Sequence, residues 1–113
     1  MVDFSLISNT YDRIHQHLVE TPLLESPFLS NRLNKRVLIK AECLQKTGSF
    51  KYRGSWSSFV NNDIENLKKG VLAYSSGNHA QGIAAVAKQL KIEATIIMPK
   101  DAPRLKIKNT QSY

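Results

Sequence analysis

The hydrophobic positions near the start of the chain recur every three or four residues, which predicts one face of an amphipathic helix. These positions are Ile7, Tyr11, Ile14 and Leu18. Asp3 or Ser5 can cap this helix, and Thr21-Pro22 ends it because the residue before a proline avoids the α conformation. A short second helix is predicted over 27–33, with the proline in its first turn.

Further along the chain, short apolar runs alternate with longer amphipathic stretches. The runs predict strands over 36–41, 71–74 and 94–98. The amphipathic stretches predict helices over 50–61, 64–69, 79–90 and 103–110. Ser49 is the expected N-cap of the first of these helices, and Gly70 ends the second. Strands that alternate with helices predict an α/β fold of right-handed βαβ units, with three parallel strands in one sheet and helices on its faces.

Composition limits the classes of protein that fit this pattern. The 113 residues suit one domain, and 42% hydrophobic residues allow a packed core. The net charge is +7, but the densest basic stretch, 100–108, has no aromatic residue to stack on bases and no accompanying motif, so we expect no nucleic-acid partner. The single cysteine, Cys43, excludes an intramolecular disulfide and a cysteine-rich zinc site. Without a membrane-length apolar run or a signal-peptide pattern, we expect a cytoplasmic protein with no bound metal and no membrane association.

The first of two candidate chemical sites is the turn TGSFKYRG at 47–54. It places Lys51 in the first turn of a helix, where the partly positive helix end and the nearby Arg53 disfavour a protonated ammonium. The free amine is the form that attacks an aldehyde or a ketone. On local physics alone, a solvated surface lysine remains the more common interpretation.

The second candidate is the turn SSGNHAQG at 75–82, between an apolar strand and a helix rich in small residues. The unpaired N–H groups at such a helix start bind carboxylate or phosphate oxygens. Ligands of open α/β sheets bind beyond the carboxyl ends of the strands, so both turns can face one crevice. An ordinary turn capped by Ser76 or Asn78 is the alternative.

Together, the two turns resemble the pyridoxal-phosphate enzymes of the threonine/serine dehydratase family, whose relatives include serine racemase. The resemblance extends from Thr21-Pro22-Leu23 to the C-terminus, and it includes KAECLQKTGSFKYRG at 40–54 and MPKDAPRLK at 98–106. It implies pyridoxal 5'-phosphate as the cofactor and part of a three-layer αβα domain with a parallel sheet, of the tryptophan synthase β-like fold.

The resemblance also implies a role for each site residue. Lys51 would bind the cofactor covalently and act as the base at the substrate Cα, Phe50 would pack against the cofactor ring, and Asn78 would bond its 3′-oxygen. The substrate carboxylate would bind to the turn of Ser75, Ser76, Gly77, Asn78 and His79. The implied reaction is β-elimination of ammonia from threonine, serine or a related hydroxy amino acid. Racemases of this family carry a serine acid/base at the place of Ser76, so amino-acid racemisation stays open, as does a mere capping role.

Two features of the family have no match in this sequence. Its members are several times longer, and they carry a glycine-rich loop for the cofactor phosphate and a later hydroxyl or thiol partner for the pyridine nitrogen. The five glycines here include no adjacent pair. We therefore expect residues 1–113 to be the N-terminal part of an enzyme that forms a homodimer at full length. By themselves they should not catalyse efficiently, because phosphate anchoring supplies binding and orientation. A catalytically silent truncated polypeptide and a small basic nucleic-acid module remain the alternatives.

Overall fold

The computed structural model describes residues 3–113, which form helices and short strands joined by tight turns. In chain order the elements are α1 (Phe4–Ile14), β1 (Leu23–Glu25), α2 (Pro27–Leu33), β2 (Leu38–Lys40), α3 (Lys51–Val60), α4 (Ile64–Leu67), β3 (Val71–Tyr74), α5 (Asn78–Leu90), β4 (Ala94–Ile97) and α6 (Arg104–Gln111). Short 3₁₀ turns cover His15–His17, Glu42–Leu44 and Lys46–Gly48. No helix within residues 3–113 is both long and apolar enough to span a lipid bilayer.

The parallel part of the predicted fold is confirmed for the last two strands. β3 and β4 pair in parallel, with Val71 opposite Ala94 and Tyr74 opposite Ile97, and α5 forms the crossover between them. The two strands and their helix therefore make one βαβ unit.

The prediction that the first apolar run joins the same parallel sheet is wrong. β2 instead pairs antiparallel with β1, with Leu23 opposite Lys40. The short α2 ends at Asn34, whose left-handed backbone (φ 49°) turns the chain back on itself. β2 therefore runs back alongside β1.

The core lies between α3, α5 and one face of the parallel strands. Trp56 and Val86 are its largest fully buried side chains, one from each helix. The inner faces of β3 and β4 pack against this cluster. Their outer faces are uncovered: Leu72 is 70%, Tyr74 71% and Ile97 51% exposed. The described residues thus supply two of the three expected layers.

The capping predictions have mixed outcomes. Asp3 caps α1, since its Oδ1 accepts from the N–H of Leu6 at 2.9 Å. Gly70 ends the turn that follows α4, with φ +92°. Ser49, however, does not cap α3: the residue before the helix is Phe50, and the Ser49 hydroxyl is buried without a hydrogen-bond partner. The first helix also ends at Ile14, well before the proline, and continues only as a 3₁₀ turn.

A glycine sets the distance between α3 and α5. A Cβ built on Gly82 would lie 2.5 Å from Ser55 Oγ and 3.2 Å from the carbonyl oxygen of Lys51. A side chain at this position would therefore push the two helices apart. The close approach fixes the first turn of α3 relative to the start of α5.

Candidate active site

Lys51 and the turn after β3 line the same groove, which has a volume of about 550 Å³. Its walls are Lys51, Tyr74, Ser75, Ser76, Gly77, Asn78, His79 and Pro99. The structure thus brings together six of the seven residues that the sequence singled out. Tyr74 and Pro99 were missed because an exposed strand end and a proline carry no chemical motif.

Phe50 is the seventh residue, and it lies beside Lys51 but outside the lining of the groove. Its ring is 59% exposed. The Nζ of Lys51 lies 5.2 Å from the ring centroid, which is a cation–π distance. The ring is therefore placed to contact a group bound at the lysine amine.

Arg53 does not have the role that we expected for it. Its Nε and Nη2 each lie 2.8 Å from a different oxygen of Glu42. Hydrogen bonds from this guanidinium lower the pKa of the Glu42 carboxyl, against an opposing effect of burial. Since Glu42 balances its charge, Arg53 does not act as the free cation beside Lys51 that the sequence suggested. Instead it anchors the first turn of α3 to the segment before it.

A second contact, made by the buried side chain of Gln45, fixes the segment that precedes Lys51. The Gln45 side chain donates to the carbonyl of Val19 at 2.9 Å and accepts from the N–H of the same residue at 3.0 Å. Thr47 and Gly48 then both take left-handed backbone angles, with φ 63° and φ 70°. The glycine tolerates this conformation without cost, whereas the threonine is strained. The segment before α3 is therefore held by the Gln45 contact and by the backbone conformation of Thr47 and Gly48.

The turn after β3 is not capped by either of the residues considered for that role. Gly77 is the residue before α5, and no side chain caps this helix. The Ser75 hydroxyl accepts from the N–H of Gly77 at 3.2 Å. Ser76 is exposed and has no hydrogen-bonding partner within residues 3–113. Its hydroxyl and the first N–H groups of α5, which have no acceptors inside the helix, are directed to a ligand or solvent.

Lys106 of α6 is a contact of the site that sequence reasoning missed. Its Nζ donates to Oδ1 of Asn78, and its stem passes over Gly77. In the sequence it counts only as one more basic residue of a charged helix. No sequence pattern indicates this contact, because Lys106 and Asn78 are 28 residues apart and are brought together only by the fold.

The chain matches known proteins in both sequence and fold. A family model described as "Pyridoxal-phosphate dependent enzyme" matches residues 14–113. L-threo-3-hydroxyaspartate ammonia-lyase from Saccharomyces cerevisiae is 45% identical over 90% of this chain and 31% of its own length. The structure of maize serine racemase superposes with a TM-score of 0.89 and 38% identity, covering 99% of this chain and 34% of that one. The structure of threonine deaminase from T.th. gives a TM-score of 0.83 and 43% identity, covering 99% of this chain and 35% of that one.

The chain spans about a third of the length of the curated relatives that it matches. Within that span, the α/β architecture and the groove coincide with the part of the chain that the family model covers. The match includes both predicted turns. The chain belongs to the pyridoxal-phosphate dependent enzyme family.

Proposed function

We propose that residues 1–113 are the N-terminal part of a pyridoxal-phosphate-dependent ammonia-lyase that acts on threonine, serine or a related hydroxy amino acid. The observation that carries the proposal is the shared groove of Lys51 and the Ser75–His79 turn. Relatives named as ammonia-lyases and a threonine deaminase support the reaction class.

The residues of the groove fit the cofactor of the family. Lys51 supplies an accessible primary amine that can react with an aldehyde. Asn78 supplies an amide at one wall, and the Phe50 ring lies next to the amine. Pyridoxal phosphate, when bound, supplies an electron sink for negative charge at the substrate Cα.

The remaining roles belong to side chains and backbone groups of this chain. The amine of Lys51 takes the proton from Cα, because it is the basic group that lines the groove at the start of α3. The N–H groups of the Ser75–His79 turn bind the substrate carboxylate, helped by the positive end of α5. The amine and the anion site lie on different elements, so a bound amino acid is held between them.

Amino-acid racemisation is the second candidate, and Ser76 favours it. Its hydroxyl does not cap α5 and is exposed in the groove that also contains Lys51. A racemase needs a second acid/base group to protonate Cα from the face opposite the lysine. In the full-length protein, Ser76→Ala should abolish racemised product while keto-acid formation persists. Loss of both activities to the same extent would remove Ser76 from this role.

The first test is covalent capture of the cofactor on the 113-residue chain. Pyridoxal phosphate is added, the visible absorbance band is recorded, and the adduct is fixed with borohydride and located by peptide mass spectrometry. We expect the label on Lys51, and Lys51→Ala should lose the band. Lys46→Ala is the matched control, because this exposed lysine lies in the same turn region outside the groove. An equal band in Lys51→Ala would mean that surface lysines react at random, and would refute the proposal.

The rest of the proposal concerns the full-length enzyme. We include a small amino-acid substrate, a cytoplasmic location and a homodimer, none of which the groove itself specifies. The isolated chain should show little turnover, since cofactor binding and orientation supply much of the rate. Full turnover by residues 1–113 alone would contradict this part.

A further inference from the structure

Lys106 reaches from α6 to Gly77 and Asn78, two residues that line the groove, and contacts them along its whole length. Its ammonium donates to Oδ1 of Asn78. A Cβ on Gly77 would lie 3.8–4.0 Å from its Cγ, Cδ and Cε, so the stem lies flat across the turn. The side chain is half-buried. Both its stem and its head are therefore fixed in place.

The chemistry of this contact fixes the orientation of the Asn78 amide. An ammonium has three donors and no acceptor, so only the amide oxygen can face it. The opposite orientation would place two donors against each other. The Nδ2 group consequently points away from Lys106, and it makes no hydrogen bond with any of residues 3–113. Because Asn78 lines the groove, that NH₂ is free to donate to a group bound there.

The charge of Lys106 makes this contact stronger than a neutral hydrogen bond. Within the described part of the chain, no carboxylate lies at ion-pair distance from its Nζ. The Asn78 oxygen is thus its side-chain partner, and a hydrogen bond from a charged donor is shorter and stronger than one from a neutral donor. Withdrawal of electron density through the amide also strengthens the NH₂ as a donor.

We propose that Lys106 is a positioning residue that holds the Asn78 amide with its NH₂ group turned into the groove, where it donates to the ring oxygen of the cofactor. The inference rests on the proposed function, because it explains how Asn78 is prepared for that contact. It adds a residue on α6 to a site otherwise built from the start of α3, the end of β3, the start of α5 and the turn between them, and Pro99.

The central variant is Lys106→Met, which keeps an unbranched stem and removes all three donors. Lys108→Met is its matched control, since this exposed lysine lies on the same helix and its side chain makes no hydrogen bond to Asn78. The first readout needs no cofactor: the side-chain NH₂ signals of Asn78 in the ¹⁵N-labelled chain. We expect Lys106→Met to shift these signals and Lys108→Met to leave them unchanged.

The second readout is the affinity for pyridoxal phosphate, measured by titrating the absorbance band. Loss of one hydrogen bond at the ring oxygen should weaken binding about 3- to 10-fold. Asn78→Ala should cost a similar factor, and the double variant should lose no more than Asn78→Ala alone. Lys106→Arg keeps a charged donor and should retain most of the affinity.

The outcomes for the positioning role and for the proposed function are distinguishable. Unchanged Asn78 signals in Lys106→Met, or additive losses in the double variant, would overturn the positioning role even if Lys51 binds the cofactor. Absence of a Lys51 adduct in the unmodified chain would overturn the proposed function and the cofactor contact, while the amide signals still decide the orientation. If Lys106→Met disturbs the backbone spectrum, Lys106→Arg decides: loss of affinity there would refute the positioning role.

Discussion

Gly82→Ala is the substitution that tests most directly how the groove is assembled. The new methyl would sit 2.5 Å from Ser55 Oγ and 3.2 Å from the Lys51 carbonyl oxygen. Ser55 cannot easily move away, because it is 1% exposed and its hydroxyl donates to that same carbonyl at 2.9 Å. The methyl therefore strains the contact between α3 and α5.

The expected loss of stability follows from three contributions. Overpacking in a tight contact costs about 1–3 kcal/mol, and disturbing the Ser55 hydrogen bond costs about 1 kcal/mol. The higher helix propensity of alanine returns about 1 kcal/mol. The net destabilisation of Gly82→Ala is then about 1–3 kcal/mol, or a Tm lower by several degrees for a domain of this size.

Gly54→Ala is the matched control, because it lies within α3 and nothing stands within 4 Å of its added Cβ. It should stabilise the chain by about 0.5–1 kcal/mol through helix propensity. Urea unfolding of both variants, of Ser55→Ala and of Ser55→Ala/Gly82→Ala completes the design. Removing Ser55 Oγ should recover much of the stability lost in Gly82→Ala, so the double variant should be more stable than the sum of the two single changes predicts. If Gly82→Ala proves as stable as Gly54→Ala, or if the double variant shows no coupling, the steric argument fails.

Three further predictions concern charge, stacking and the open sheet face. Hydrogen bonds from Arg53 lower the pKa of the Glu42 carboxyl from its ordinary value of 4.5. The ionised carboxylate therefore contributes its full stabilisation above pH 4.5, and this stabilisation is lost as the pH falls through the lowered pKa. Glu42→Gln should therefore flatten the acid side of the unfolding free energy against pH. The His17 ring stacks on Trp56 with 3.8 Å between the ring centroids, and burial lowers the pKa of this histidine below its ordinary value of 6.5. Stability should therefore fall as the pH drops below 6.5, because the unfolded chain takes up the proton more readily, and protonation of the ring should change the tryptophan fluorescence. Leu72→Ser should reduce self-association in sedimentation velocity, because it removes exposed apolar area.

Each of these predictions has a control on the same chain. Glu20→Gln changes an exposed carboxyl and should leave the acid limb of the stability curve as it is. His15→Gln should keep the fluorescence step, whereas His17→Gln should abolish it. Leu33→Ser removes an exposed leucine away from the parallel strands and should not alter self-association. A fluorescence step that survives in His17→Gln, or equal self-association of Leu72→Ser and the unmodified chain, would contradict the reasoning.

The βαβ unit over 71–97 was predictable because its periodicities are uninterrupted and its ends carry clear signals. A short apolar strand follows Gly70, and a proline follows the second strand. The turn after β3 lies beyond the carboxyl end of a parallel strand, as the rule for ligand sites in such sheets predicts. Lys51 reaches the same groove from a helix that follows an antiparallel strand, so the rule accounts for only one of the two turns.

The parts that failed depend on contacts between distant residues. β1 has only three residues, too few for a periodic signal. Ser49 fails to cap α3 because its buried hydroxyl makes no hydrogen bond to an N–H group of the helix. The pairing of Arg53 with Glu42 and of Lys106 with Asn78 requires the fold itself. Charge type alone gave no indication of which partner each cation would take.

The parallel pair has a consequence for the order in which the molecule is built. Val71 pairs with Ala94, so β3, α5 and β4 close their contacts over a short stretch of chain, and the entropy lost in closing such a loop is modest. This low cost favours early pairing of β3 with β4 during folding. Within residues 3–113, the outer edges of both strands keep unpaired backbone groups. A further strand that pairs with either edge would extend a pair that is already in register, beside the Ser75–His79 turn at the end of β3.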